Sequence, residues 1–337
     1  MSAPVVVAED LVKVYPKRRG ASEVRALDGL SFVANEGMVL GLLGPNGAGK
    51  STAMRILTAL TAATEGRASV AGLDVASRPE LVRTAIGVVS QGPGTDPLLT
   101  ATESLEIAGR LRGLSRADSR VRAASLLAEF GLAEFMGRQV GTFSGGMRRR
   151  LDVAVALMHR PRVLFLDEPT TGLDPAARAT MWTEIRRLAG DEQLTVMLIT
   201  HDMDEADRLA DGIVLVDRGK AVTHGTPESL KASLHGDTIQ IGLVEPDAEA
   251  VRAVTARLPQ LREVVVETHG VDGVLSARVD DGAAAVGAVV AALDAAGVRY
   301  SRVSASHPSL DDVYLHFVGR TYRGTDEATL ELEGVAA

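Results

Sequence analysis

Cysteine is absent from all 337 residues, which excludes disulfides, thiolate catalysis and cysteine-bound metal. Aromatic residues make up only 3% of the chain, so its core rests on Val, Leu, Ile and Ala. A basic excess is missing too: 36 Lys and Arg stand against 44 Asp and Glu, a net charge of −8. That balance argues against a dedicated nucleic-acid binder, which shows a basic patch or stripe. No run approaches the ~18 consecutive apolar residues that a spanning helix needs. The longest candidate, Val286–Leu293, is about two helical turns and reads as a buried helix. The opening MSAPVVVAED has no basic segment followed by a long apolar run, so no secretory signal is visible. The expectation is a cytosolic protein that meets a membrane only through a partner. What is present is 46% apolar residues, enough to pack one large domain or two smaller ones.

Apolar runs with strand character occupy 5–14, 38–43, 86–90, 162–167, 194–200 and 212–217. Near-continuous apolar strands separated by helical spacing predict a parallel sheet covered on both faces. Between about 95 and 160 the pattern turns helical and charged, as an insert in that α/β core. From Thr238 onward the order reads strand, helix, strand, strand, helix, strand, which is the ferredoxin-like order βαββαβ. A last helix follows Pro308, with Ser309 as N-cap and Leu310, Val313, Tyr314 and Phe317 on one stripe. The expected organisation is a nucleotide-binding domain over 1–228, an α+β accessory domain over 229–320 and a flexible tail over 321–337.

Residues 44–52 read GPNGAGKST and fit G-x-x-x-x-G-K-[ST] between a strand and a helix. Gly44, Gly47 and Gly49 allow a tight turn, with Pro45, Asn46 and Ala48 between them, whose N–H groups face phosphates. The following helix adds its positive N-terminal end. Lys50 neutralises the β- and γ-phosphates, the Ser51 hydroxyl ligates Mg²⁺, and Thr52 completes the motif. Residues 163–168, VLFLDE, place Asp167 to hold Mg²⁺ and Glu168 to polarise an attacking water. Taken alone, that segment reads equally as a strand ending in surface acids. Residues 143–150, FSGGMRRR, open a helix at Ser144, Gly145 and Gly146. By themselves they suit an anion at a helix N-terminus or an ordinary basic helix start. His201 ends the strand LTVMLIT.

In this order the motifs resemble those of ABC-type nucleotide-binding domains over roughly residues 5–228. The resemblance implies a P-loop NTPase (ABC ATPase) core with a helical subdomain. It implies that Tyr15 stacks on adenine and that Gln91 senses Mg²⁺ and a membrane partner. FSGGM corresponds to the family's signature, Gly172–Leu173–Asp174 to its D-loop, and His201 to its switch histidine. It further implies ATP and Mg²⁺ as cofactors, a second copy as partner in a nucleotide-sandwich dimer, and Ser144 and Gly146 acting on the other copy's γ-phosphate. The run SGGMRRRLDVA and the ending SLDDVYLHFVG are similar to the daunorubicin/doxorubicin-resistance type of bacterial exporter ATPase. That narrower likeness implies separate six-helix permease subunits, a peripheral place on the cytoplasmic face of the membrane, no nucleic acid as partner, and export of a drug, antibiotic or lipid-like molecule. Two other readings stay open on the sequence. One is a soluble ABC ATPase acting on ribosomes or DNA, though one nucleotide domain without long coiled coils speaks against it. The other is an importer ATPase, which would carry a different C-terminal domain.

Overall fold

The computed structural model describes residues 3–16, 23–92, 94–190, 193–234, 236–269 and 272–318. The tail expected over 321–337 lies outside them. The chain divides into two units, one reaching Pro227 and one running from Glu228 to His316.

The first unit opens with β1 (Pro4–Tyr15) and β2 (Val24–Asn35), then β3 (Val39–Leu43) and α1 (Lys50–Leu57). There follow β4 (Glu65–Val70), β5 (Leu73–Asp74), α2 (Pro79–Ala85) and β6 (Ile86–Val89). Three helices come next: α3 (Ala101–Leu111), α4 (Arg116–Glu129) and α5 (Gly145–Ala156). The unit continues through β7 (Val163–Asp167), α6 (Pro175–Gly190), β8 (Thr195–Thr200), α7 (Met203–Leu209), β9 (Gly212–Asp217) and β10 (Lys220–Gly225).

Its central sheet runs β10-β9-β3-β8-β7-β6. The five strands from β9 to β6 are parallel, and β10 is an antiparallel edge. All five residues of β3 and all six of β8 are buried, as covering on both faces demands of apolar runs without alternation. The expectation of one parallel sheet needs correction here. A second, antiparallel sheet, β2-β1-β4-β5, packs with α1 in one continuous core. Its strands carry weaker signals. In β2, buried Leu27, Leu30, Phe32 and Ala34 are interrupted by Asp28 and Gly29, and β4 is EGRASV. In α3–α5, Leu105, Leu126, Phe130 and Leu151 belong to an apolar core that continues onto the central sheet through Val39, Leu164, Leu166 and Leu198. Thr100 and Glu103 start α3 by a reciprocal capping box.

The second unit contains α8 (Pro227–Ser233), whose first residue lies at the division, then β11 (Asp237–Val244), α9 (Ala248–Thr255), β12 (Arg262–His269) and β13 (Asp272–Val279). After α10 (Gly282–Ala295) and β14 (Tyr300–Ser306), α11 (Leu310–Val318) closes the described chain. The sheet order β12-β13-β11-β14, antiparallel throughout, is that of the ferredoxin-like fold. Ile239, Ile241, Leu243, Leu275 and Val279 on one sheet face meet Val251, Val289 and Leu293 from α9 and α10. Ser309 caps α11 reciprocally with Asp312. Of the stripe expected on α11, Leu310, Val313 and Tyr314 are buried, whereas Phe317 is 39% exposed.

Candidate functional site

Parallel strands end on the same edge of a sheet, and loops at that edge converge. Four of the sequence motifs leave the ends of β3, β6, β7 and β8. Residues as far apart in sequence as Gly44 and His201 are therefore brought to one place.

The loop after β3 turns at Gly44, and Gly49 occupies the N-cap of α1 in the left-handed region, φ 108°. A Cβ at Gly44 would overlap the Val216 carbonyl oxygen, and one at Gly49 would lie 2.6 Å from the Ala26 carbonyl oxygen. Both positions need glycine for close backbone approach as well as for conformation. Pro45 and Ala48 are buried while Asn46, Gly47 and Ser51 are exposed. The loop thus anchors on one side and presents the other. The Lys50 ammonium donates to the Gly44 and Pro45 carbonyl oxygens at 2.5 and 3.0 Å. Burial lowers the Lys50 pKa to about 8, against the opposing pull of Glu168 and Asp167. A cation so desolvated favours an arriving anion strongly.

At the end of β7, Asp167 has a raised pKa, first because it is buried and then because Glu168 is beside it; Lys50, Arg149 and Arg55 work in the other direction. Glu168 links three side chains of the site. Its Oε1 meets His201 Nδ1 at 2.8 Å and its Oε2 accepts from the Thr171 hydroxyl at 3.2 Å. Burial opposes its ionisation, but His201, Thr171 and Gln91 outweigh that and hold its pKa below the ordinary carboxylate value. The structure thus joins Gln91, Glu168 and His201 through one carboxylate, with Lys50 and Asp167 in electrostatic reach. The backbone of Glu168 is left-handed, φ 47°, a conformation that costs a non-glycine residue on the order of 1–3 kcal/mol and persists only where surroundings enforce it.

The remaining sequence candidates take other places. Tyr15 ends β1 with the Lys13 ammonium 5.2 Å from its ring centroid. Ser144 caps α5 by accepting from the Met147 N–H at 3.3 Å, and both it and Gly145 are exposed. Gly146 is buried, and a Cβ there would sit 2.8 Å from Ala177 Cβ, so contact with α6 requires glycine. Asp174 caps α6 through the Ala177 N–H at 2.9 Å. Among the described residues no hydrogen bond joins 144–146 to the phosphate loop of the same chain.

Several residues of the site gave no signal of their own in the sequence. Arg149 sits in a run of three arginines, yet it alone of them is buried. It bonds to the carbonyls of Ser90, Asp167, Glu168 and Pro169. Glu205, 1% exposed, accepts from the Thr170 hydroxyl at 2.7 Å and from Trp182 Nε1 at 3.4 Å. Its pKa is raised by burial, against the Thr170 and Thr200 hydroxyls. Arg178 pairs with Asp202 at 2.9 Å, tying α6 to the residue after His201. Only the three-dimensional approach of α5, α6 and α7 to the strand ends distinguishes these from surface charges.

The ABC transporter family model matches residues 27–171, and that of the ATP-binding protein DrrA1-3-like C-terminal domain matches 225–318. The chain is 42% identical over 326 residues to the daunorubicin resistance ATP-binding protein DrrA2 of Streptomyces coeruleorubidus, covering 97% of this chain and 98% of that one. It is 33% identical to the linearmycin resistance ATP-binding protein LnrL of Bacillus subtilis, covering 94% and 99%. Among solved structures it resembles a dimeric ATP-binding cassette in a post-hydrolysis state with ADP and Pi. The TM-score there is 0.60 at 27% identity, covering 66% of this chain and 98% of that chain.

Proposed function

The chain belongs to the ATP-binding, ATP-hydrolysing subunits of ABC transporters, of the kind that includes the daunorubicin-resistance proteins, and from this we propose that it powers export of a drug-like or lipid-like molecule through separate membrane subunits. No helix among the described residues is long and apolar enough to cross a membrane. The cargo pathway in this reading belongs to separate permease subunits, six-helix ones by family likeness, with this chain bound peripherally at their cytoplasmic face. The resistance functions in the names of its relatives support the exporter reading.

The observation that carries the mechanism is the convergence of Lys50, Asp167, Glu168 and His201 at adjoining strand ends. ATP phosphates would lie against the N–H groups of 44–52, with Lys50 exchanging the Gly44 and Pro45 carbonyls for phosphate oxygens. Glu168, its carboxylate held ionised by His201, Thr171 and Gln91, accepts a proton from the attacking water. His201 keeps that carboxylate oriented. The donor set also suits Mg²⁺. Among the described residues no group of three or more acids or histidines is arranged to hold a metal ion by itself, and Mg²⁺ is commonly held by one or two carboxylates, with waters and phosphates completing its shell. Asp167, Ser51 and Gln91 would hold it, and it would neutralise charge between the β- and γ-phosphates. Tyr15 would stack on the adenine.

The exposed N-terminus of α5 completes the reading. Ser144, Gly145 and Gly146 would meet the γ-phosphate bound by a second copy, with Asp174 near the same junction. ATP then closes a dimer with two composite sites, and hydrolysis reopens it. Mixing two inactive variants tests this. Ser144→Arg and Lys50→Ala homodimers should not turn over, whereas their heterodimer retains one whole site and should recover measurable hydrolysis. Absence of recovery in a mixture that dimerises would contradict sites built in trans.

A further inference from the structure

Arg149 projects from α5 into the floor of the site rather than into solvent. Its four hydrogen bonds run to main-chain carbonyls: Nε to Pro169 at 2.9 Å, Nη1 to Ser90 at 2.6 Å, and Nη2 to Asp167 and Glu168 at 2.8 and 3.1 Å. Three of these acceptors are consecutive and centre on Glu168, whose φ of 47° is left-handed. The amide of Glu168 donates to the Ile199 carbonyl at 2.8 Å. Both peptide groups of the strained residue are therefore held, one by β8 and one by Arg149. The fourth acceptor, Ser90, immediately precedes Gln91, whose amide meets the Glu168 carboxylate.

One helical turn further along α5, Asp152 faces the other end of the same loop. It accepts from the Thr95 hydroxyl at 3.3 Å and from the Gly94 N–H. Positions three apart lie on one helix face, so a single face of α5 holds the loop on both sides of Gln91. The helix that carries Ser144 at its N-cap is thereby bonded to the backbone of the proposed base and to both flanks of the residue that contacts it.

We propose that Arg149 is a positioning residue for ATP hydrolysis: it fixes the left-handed backbone of Glu168 and, with Asp152, sets Gln91 against the same carboxylate. The inference rests on the reading of Glu168 as the base. A guanidinium suits this place because its rigid planar fork reaches four carbonyls, at Ser90 and at 167–169, from three separate nitrogens, whereas an ammonium donates from a single point. All four of its hydrogen bonds go to main-chain carbonyls, so it acts through Glu168 and Gln91.

The test uses the full chain carrying Arg149→Lys, Glu168→Gln or both. Thermal midpoint, affinity for a fluorescent ATP analogue, KM and kcat are measured, with single-turnover rates for the slow variants. Arg149→Lys keeps the charge. It should leave KM nearly unchanged while lowering kcat by roughly 10- to 100-fold, the range expected when a reacting group is displaced by about an ångström. In the Glu168→Gln background the same substitution should lower the residual rate by no more than about twofold, because both changes act through one carboxylate. Wild-type kcat in Arg149→Lys would overturn the proposal, and so would an equally large further loss in the Glu168→Gln background. Wild-type turnover in Glu168→Gln alone would instead overturn the base reading, so the two failures are read from different proteins. Should Arg149→Lys not fold, Thr95→Val carries the test by removing the hydroxyl that Asp152 accepts. A fall in kcat at unchanged KM supports the proposal, and an unchanged kcat overturns it.

Discussion

Arg149 in the first unit and Arg278 in the second are both buried, at 8% and 7% exposure, and both donate to main-chain carbonyls. Arg278 bonds to Leu234 and Gly236, the residues leading into β11. Arg149 bonds to a strand end that also carries two carboxylates. The first unit buries Lys50, Asp152 and Glu205 besides. In the second unit the other buried polar side chains among the described residues are Thr238 and Thr255. The same chemical device thus serves two ends. Where the carbonyls belong to a structural turn, a buried guanidinium secures an element. Where they belong to residues whose side chains face a phosphate loop, it also sets the geometry of a reaction. Burial of charge costs several kcal/mol per ion unless partners offset it, and the first unit concentrates that cost around its strand ends.

The widest separation between the units comes from removing the charge that serves ATP. Lys50→Ala should abolish turnover and weaken ATP binding by at least about 2 kcal/mol, roughly 30-fold, the scale of a lost charge-assisted contact. Equilibrium titration with a fluorescent ATP analogue reads this directly, and the thermal midpoint shows that the fold persists. A normal affinity would place the phosphates elsewhere.

A smaller effect sharpens the contrast from the other side. Arg278→Met leaves the Leu234 and Gly236 carbonyls without this donor and should destabilise the second unit by about 1–3 kcal/mol. Chemical denaturation followed by a probe in the second unit measures that. The KM and kcat of folded protein should stay as in the wild type, and a fall in kcat at constant stability would erase the distinction drawn between the two arginines.

The smallest effect concerns acid. His159 donates from Nε2 to the Ile86 carbonyl at 2.9 Å, and its Nδ1 is buried without a partner. Burial, and then the Arg112 charge, lower its pKa below 6.5, while the Ile86 carbonyl opposes them. The unfolded chain therefore binds more protons than the folded one once pH falls below about 6.5, so folding stability is complete above that value and declines as pH falls through the lowered one. His159→Leu should flatten that decline, as seen in denaturation midpoints between pH 7 and 5. An unchanged slope would assign the acid sensitivity to other groups.

The inner parallel strands were legible because each is a near-continuous apolar run that both faces of the sheet bury, as in VLFLD and TVMLIT. The second sheet was not. Its strand β2 breaks its alternation at Asp28–Gly29, and β4 buries only Ala68 and Val70 with relative exposure below the rest of its length. The ferredoxin-like order could be read because each of its strands is bounded by a turn or a helix of contrasting period. In the site, Asp167, Glu168 and His201 could be picked out because each stands where a strand ends, and Lys50 because it opens a helix straight after a glycine-rich loop. Arg149 could not. Ahead of Leu151 the MRRR run offers only half-buried Met147 to set the helix phase, too little to tell which arginine turns inward.

The most direct test of a base held at the end of β7 is a single-turnover comparison of wild type and Glu168→Gln with radiolabelled ATP and Mg²⁺. The account predicts that Glu168→Gln binds ATP as tightly as the wild type but converts it to ADP at least about 100-fold more slowly, the scale of losing one general base. Conversion at the wild-type rate would contradict it.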